Sequence, residues 1–278
     1  MKKLLKKFIP NILKSTLKKI YYFSIVLIDK LMGQNNILPR GSMFFIRDKD
    51  YTKTGQEFKN FFTELANLQP SDQVLDIGCG FGRMAVPLTN YLSQEGGYWG
   101  FDIINDAITW CNIFISPRFR NFHFLHSDVY NKYYNPNGKV RARNYQFPFD
   151  KASFDFVYLT SVFTHMLPSD VENYMSEISR VLKTGGKCLI TFFILNQESE
   201  NLINSGRSTQ DFRYKMDGYL TINDSDPEAA IAYNEEFIIG LFNKYGLKIS
   251  KPIHYGSWCK RDNFLSYQDL IIAQKIIK

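Results

Sequence analysis

A glycine-rich loop directly after an apolar strand is the clearest chemical signal in the sequence. Residues 74–83 read VLDIGCGFGR, with three glycines at alternate positions after an acidic strand end. Glycine lets the backbone approach a ligand more closely than a residue with a Cβ atom does, and the helix predicted after the loop directs its free N–H groups towards that ligand. The run therefore predicts a binding site for a nucleoside or nucleotide.

A second acidic residue lies where a ribose-binding carboxylate is expected. Asp102 ends the next apolar segment, about twenty residues after the loop. Its carboxylate can accept both ribose hydroxyls as paired, charge-assisted hydrogen bonds, although a strand-end or cap role is the structural alternative. Dinucleotide-binding domains use such an acid too, but their glycine pattern is G-x-G-x-x-G, and here the third glycine comes one residue early. The local pattern therefore leaves open whether the ligand is a dinucleotide or another cofactor that contains a nucleoside.

The order of motifs along the chain resembles that of the class I S-adenosylmethionine-dependent methyltransferases. Residues 76–82 resemble the first motif of that family, which holds the methionine part of the cofactor, and residues 101–103 resemble the second, which holds the ribose. Residues 126–129 are similar to the third motif, whose acid usually reaches the adenine amino group. Residues 154–159 resemble the fourth strand, and residues 179–187 resemble the family's helix, glycine turn and fifth strand.

This resemblance implies S-adenosylmethionine as the cofactor and S-adenosylhomocysteine as the product. It also implies a set of cofactor-binding residues. They are Asp76, Gly78, Cys79, Gly80, Arg83, Asp102, Ile103, Asp128, Val129 and Thr160. Paired acids followed by Asn are missing from the expected strand ends, so we expect no metal ion.

The segment that leaves the fourth strand is where the resemblance places the reaction. Nucleic-acid amino methyltransferases of this fold carry an Asn/Asp-Pro-Pro-aromatic tetrad there, and cytosine-C5 enzymes carry Pro-Cys; residues 159–168, LTSVFTHMLP, contain neither. This favours methylation of a small molecule, on a hydroxyl of a sugar or secondary metabolite, or on an amine. His165 is the residue of this loop suited to act as general base at neutral pH. Capping or orienting the loop is its alternative role, and His254 is the next candidate base.

The elements that position these residues predict an α/β fold. We expect a doubly wound, seven-stranded, mostly parallel sheet with an antiparallel last strand. A helix over residues 235–245 and strands near 247–255 and 265–275 would supply the terminal hairpin, which a simple dinucleotide-binding domain does not need. The methyltransferase domain is predicted over residues 41–278. Its insertions, at about 130–146 and 197–234, would leave the carboxyl edge of the sheet as candidate substrate walls.

The positive charge of the chain is concentrated at its N-terminus. Residues 1–33 contain eight lysines and one aspartate, a balance of 8 − 1 = +7, which equals the formal net charge of the whole chain. The rest of the chain is balanced, which argues against nucleic acid as a partner. Residues 1–40 are predicted to form a basic amphipathic helical extension and linker. Such a helix either lies on an anionic membrane surface or packs as a lid over the cofactor cleft.

The cysteine content indicates the compartment of the protein, and three classes of function remain open. Four cysteines without a C-x-x-C spacing predict reduced thiols in a cytoplasmic protein and argue against structural zinc. The first hypothesis is a small-molecule O-methyltransferase. The second is a membrane-associated methyltransferase acting on a lipid-linked, peptide or carboxylate acceptor, and the third is a non-catalytic cofactor-binding module. The oligomeric state is left open.

Overall fold

The computed structural model describes residues 48–276 and, before them, Ser24. The predicted N-terminal extension over residues 1–40 therefore lies outside the described residues, apart from Ser24. The strands are β1 (Gln73–Ile77), β2 (Gly97–Asp102), β3 (Phe122–His126), β4 (Phe154–Leu159), β5 (Leu182–Phe192), β6 (Ile194–Leu195), β7 (Tyr214–Lys215), β8 (Tyr219–Thr221), β9 (Ile231–Asn234), β10 (Leu247–Ile249) and β11 (Asp269–Lys275).

Six α-helices are described in the same part of the chain. They are α1 (Asp48–Asn60), α2 (Ala85–Leu88), α3 (Asn105–Phe114), α4 (Pro168–Val181), α5 (Gln197–Asn204) and α6 (Glu235–Lys244). A π-helical turn, Phe61–Leu65, continues α1. Within residues 48–276, no helix combines the length and apolar character needed to cross a membrane.

Seven strands form the main sheet, in the order β3-β2-β1-β4-β5-β11-β10. The pairs from β3 to β5 are parallel, and β11 is antiparallel to both of its neighbours. This order confirms the predicted fold class, including the antiparallel last strand. Because β1, β2, β3 and β4 run in one direction, their carboxyl ends meet at the same edge of the sheet, and the residues that follow them are brought together there.

Both faces of the sheet are covered, as the apolar run in β1 predicts. Leu75 and Ile77 belong to a cluster with buried residues of α4 and α6, whereas Val74 points to the opposite face and packs with residues of α1 and α3. Side chains alternate between the faces of a strand, so a strand that is apolar at successive positions requires helices on both sides. The local sequence thus gives rise to the doubly wound arrangement.

The fifth strand differs from the predicted helix, glycine turn and strand. β5 begins directly after α4 and runs through the two glycines. Its pairing with β4 shifts between Phe154 and Phe156, and Gly185 has a φ of +81°, which favours glycine. The glycine pair therefore forms an irregularity inside the strand.

The second insertion folds into a small sheet, an arrangement that the sequence did not predict. Its four strands have the order β6-β9-β8-β7. They are two to four residues long, and their core contains Phe193, Phe212 and Trp258. β6 lies two residues after the end of β5, so the small sheet continues directly from the main sheet.

A buried aspartate ties the small sheet to the main sheet. The Asp269 side chain is fully buried, and its carboxylate accepts hydrogen bonds from the backbone N–H groups of Ile194 and Gly256, both at 2.6 Å. It also accepts one from Trp258 Nε1 at 2.7 Å and pairs with Arg261 Nη1 at 3.1 Å. Burial raises the pKa of Asp269 to about 6, against the opposing effect of these donors. The network fixes the position of the small sheet relative to the first residue of β11.

Candidate active site

A cavity of about 490 Å³ opens at the carboxyl edge of the main sheet. The ends of β1, β2 and β4 form its floor, and both insertions contribute to its walls. Seven residues predicted from the sequence line it: Gly78, Arg83, Asp102, Ile103, Val129, Thr160 and His165. The fold therefore brings most of the predicted site into one cavity.

The three glycines of the loop all have a left-handed backbone conformation. Gly78, Gly80 and Gly82 have φ values of +83°, +51° and +76°, in the left-handed region that glycine adopts without strain. The N–H groups of Gly78 and Cys79 both donate to the Phe101 carbonyl, at 2.9 and 3.1 Å. A Cβ atom on Gly78 would lie 2.3 Å from Val162 Cγ2. The loop is thus packed closely against the segment that follows β4.

Asp102 connects the end of β2 to the glycine loop. Its Oδ2 accepts a hydrogen bond from the Gly80 N–H at 2.7 Å, and its Oδ1 accepts one from the Ile104 N–H at 2.8 Å. Burial raises the pKa of this carboxyl, and the same N–H groups act in the opposite direction. A carboxylate offers about four lone-pair sites, so both oxygens can accept further hydrogen bonds from a ligand in the cavity.

Asp76 is placed below the loop and does not line the cavity. Its Oδ2 accepts the hydroxyls of Tyr98 at 2.6 Å and Tyr158 at 3.0 Å, and its Oδ1 has no hydrogen-bond partner among the described residues. Burial raises its pKa to about 7. Asp76 thus bridges the two tyrosines beside β1, and a direct contact with the cofactor stays a prediction.

Three other predicted cofactor residues also lie outside the cavity lining. Cys79 is a buried free thiol whose Cβ lies against Gly100, and Gly80 donates its N–H to Asp102. The Asp128 side chain is about half exposed, with Oδ2 3.8 Å from Lys139 Nζ. The roles predicted for these residues remain untested.

Arg83 and His165 lie on the wall of the cavity. Among the described residues, no carboxylate lies within ion-pairing distance of the Arg83 guanidinium, and burial lowers its pKa below the ordinary value. His165 Nδ1 lies 3.0 Å from the Glu228 carbonyl oxygen. Because a carbonyl only accepts, Nδ1 carries a proton, and in the neutral imidazole the lone pair is therefore on Nε2. The turn that carries Glu228 is held by the buried Thr221 hydroxyl, which donates to the carbonyl of Pro227 at 2.9 Å.

The central part of the chain matches a known family. Residues 75–190 match the family described as Methyltransferase domain. Residues 75–190 are therefore assigned to a methyltransferase domain. This match confirms the predicted family and its cofactor, S-adenosylmethionine.

Two solved structures share the fold of this chain. One is a SAM-dependent methyltransferase from Methanosarcina mazei, 22% identical, aligned over 77% of this chain and 98% of that protein with a TM-score of 0.51. The other is magnesium protoporphyrin IX methyltransferase from Synechocystis PCC 6803 with bound SAH, 15% identical, aligned over 94% and 99% with a TM-score of 0.51.

A curated relative matches the chain over a shorter stretch. It is the probable cobalt-precorrin-6B C(15)-methyltransferase (decarboxylating) of Thermoplasma acidophilum, 33% identical over 89 residues. These residues are 31% of this chain, and they span 44% of that protein.

The walls of the cavity include charged residues that the sequence did not identify as a site. Asp170, in the first turn of α4, and Glu228, in the second insertion, both line the cavity. Glu228 lies 63 residues from His165 in the chain, so no local motif could have paired them. Asp226 and Lys132 connect the two insertions with an ion pair of 3.6 Å. Within residues 48–276, no three His, Cys, Asp or Glu side chains are grouped as metal ligands.

Proposed function

We propose that this methyltransferase acts on a hydroxyl group of a small molecule, with His165 as the general base. The observation that carries the proposal is the hydrogen bond from His165 Nδ1 to the Glu228 carbonyl on the cavity wall, because it selects the tautomer in which Nε2 of the neutral imidazole has the lone pair. A positioned base of this kind contributes about 10²–10⁴-fold to a reaction rate.

The cofactor half of the site fits S-adenosylmethionine. Asp102 keeps acceptor capacity towards the cavity after binding two backbone N–H groups, which supports a role in holding the ribose hydroxyls. A Cβ atom placed on Gly80 would meet no atom within 4 Å, so open space adjoins the loop. The Arg83 guanidinium would pair with the carboxylate of the methionine part. When bound, the cofactor supplies a methyl group attached to a sulfonium sulfur.

The chain's own part in the reaction is to position the acceptor and to take up its proton. His165 Nε2 removes the hydroxyl proton as that oxygen gains the methyl group, and the bond from Nδ1 to Glu228 keeps the ring in one orientation. Positioning of the reacting groups supplies much of the rate in such an in-line displacement. The protein need not stabilise a covalent intermediate.

The size of the cavity supports a small acceptor. The relatives named above methylate, according to their names, a cobalt-precorrin and magnesium protoporphyrin IX, which are tetrapyrroles. Pockets for one drug-sized ligand measure roughly 300–1,000 Å³. The cavity of about 490 Å³ has to hold the cofactor and the acceptor together. We therefore propose an acceptor smaller than a tetrapyrrole.

A pair of histidine variants tests the proposal. Turnover is measured as S-adenosylhomocysteine formed with a panel of hydroxylated acceptors, and cofactor affinity is measured by calorimetry. We expect His165→Ala to lower turnover about 10²-fold or more with unchanged cofactor affinity. His254 lines a different cavity, with Glu198 and Phe264, so His254→Ala is the matched control and should keep its turnover.

Two results would refute the assignment of the base. If His254→Ala loses turnover and His165→Ala keeps it, the base is His254. If both variants keep their turnover, the acceptor is a group that needs no base, such as a carboxylate.

A further inference from the structure

Two arginines of the first insertion line the rim of the active-site cavity. Arg141 and Arg143 are both exposed, and among the described residues neither has a carboxylate within ion-pairing distance. The Arg141 guanidinium lies 4.0 Å from the centre of the Tyr130 ring. A guanidinium that lies over an aromatic ring keeps its N–H donors in its own plane. These donors point outwards, where they can bind a planar or tetrahedral anion.

The backbone that carries these arginines is fixed to α4. Asn173 Nδ2 donates to the carbonyls of Ala142, at 2.8 Å, and Tyr145, at 2.9 Å. These two carbonyls lie on either side of Arg143 in the chain, so the backbone that carries this arginine is held at both ends. The backbone that carries both guanidinium groups is thus fixed in position. Less conformational entropy is therefore lost when the arginines bind a ligand.

The carboxylates of the same wall lie farther from the solvent. Asp170 and Glu228 are half-buried, and burial raises the pKa of both above the usual range. The positive charges of Arg141 and Arg143 act on Asp170 in the opposite direction. Carboxylate oxygens accept hydrogen bonds from hydroxyls and repel anions. The cavity is therefore acidic in its interior and basic at its rim.

We infer that the methyl acceptor is a sugar-like molecule with an anionic group at one end. Its hydroxyls donate to Asp170 and Glu228, with the reacting hydroxyl at His165, and its phosphate or carboxylate binds between Arg141 and Arg143. The opposite charges at the two ends of the cavity fix the direction in which such a molecule enters. This inference rests on the proposed function and specifies the class of its acceptor.

Three sugar probes of similar size test the inference. Glucose, glucuronate and glucose 1-phosphate are titrated by calorimetry into the protein loaded with S-adenosylhomocysteine. We expect at least one anionic probe to bind 10-fold or more tightly than glucose, and the tighter of the two identifies the anionic group. The double variant Arg141→Gln/Arg143→Gln should lose that preference and keep its affinity for S-adenosylhomocysteine within about twofold.

A third arginine provides the matched control. Arg120 is exposed and precedes β3 at the opposite edge of the sheet, so Arg120→Gln should keep the full preference. Equal affinity for the three probes, binding of none of them, or an equal loss in Arg120→Gln would overturn the inference. Failure of the wild-type protein to bind S-adenosylhomocysteine would instead contradict the proposed function. The experiment therefore distinguishes a failure of the inference from a failure of the proposed function.

Discussion

Replacement of Asp102 by alanine should weaken cofactor binding by at least 100-fold. The carboxylate lines the cavity and has acceptor capacity for two ribose hydroxyls. A hydrogen bond to a charged group contributes about 1.5–3 kcal/mol, so two such bonds amount to about 3–6 kcal/mol. This corresponds to roughly two to four orders of magnitude in affinity. We take the lower end, because the N–H groups of Gly80 and Ile104 share the same oxygens.

The assay is calorimetric titration with S-adenosylhomocysteine. Asp102→Asn should fall between the wild type and Asp102→Ala, since its amide keeps one acceptor oxygen. Asp217→Ala is the matched control, because Asp217 is exposed in the turn between β7 and β8 and does not line the cavity. Circular dichroism verifies that each variant is folded. A folded Asp102→Ala protein that binds within about fivefold of the wild type would refute the assigned ribose contact.

Two further predictions concern stability. Asp76 has a pKa of about 7 against an ordinary value of 3.8, so the folded state retains its proton longer. The contribution of Asp76 to the free energy of unfolding should therefore fall by about 3 kcal/mol from pH 4 to 7, and Asp76→Asn should flatten the pH dependence in urea titrations; parallel curves would contradict it. Asp269→Asn should destabilise the protein by about 3–5 kcal/mol at neutral pH in the same assay, because Arg261 loses its buried partner. The control Glu198→Gln removes the exposed partner of Arg261 and should cost under about 1 kcal/mol; similar losses would refute the role of Asp269.

Part of the cavity floor could be predicted because its signals are local. Residues 74–83 contain a buried strand and three glycines whose required φ values are properties of the residue type. Asp102 follows at a fixed distance because the next parallel strand ends at the same edge of the sheet. Strand period, glycine spacing and chain direction are sufficient to place Gly78 and Asp102 at the same edge of the sheet.

The acceptor half depends on long-range contacts that no local pattern specifies. Glu228 reaches His165 through a small sheet, and β6 and β7 in that sheet have two residues each, too few to show a period. Asp269 lies in a strand that the sequence did predict, but its four hydrogen-bond donors come from three other segments. Asp76 was predicted as a cofactor residue from its position in the motif, whereas its hydroxyl donors, Tyr98 and Tyr158, become visible only in three dimensions.

The separate origin of the small sheet has a consequence for how this protein could diversify. The floor of the cavity comes from the ends of β1, β2 and β4, whereas Glu228 belongs to a segment that begins after β6 and returns at β9. Both boundaries are anchored: Ile194 binds Asp269, and β9 pairs with β6. Exchange of the segment between these anchors would replace one wall and leave the floor of the cavity in place. The architecture thus allows the wall that carries Glu228 to change in evolution while the strand ends that form the floor stay the same.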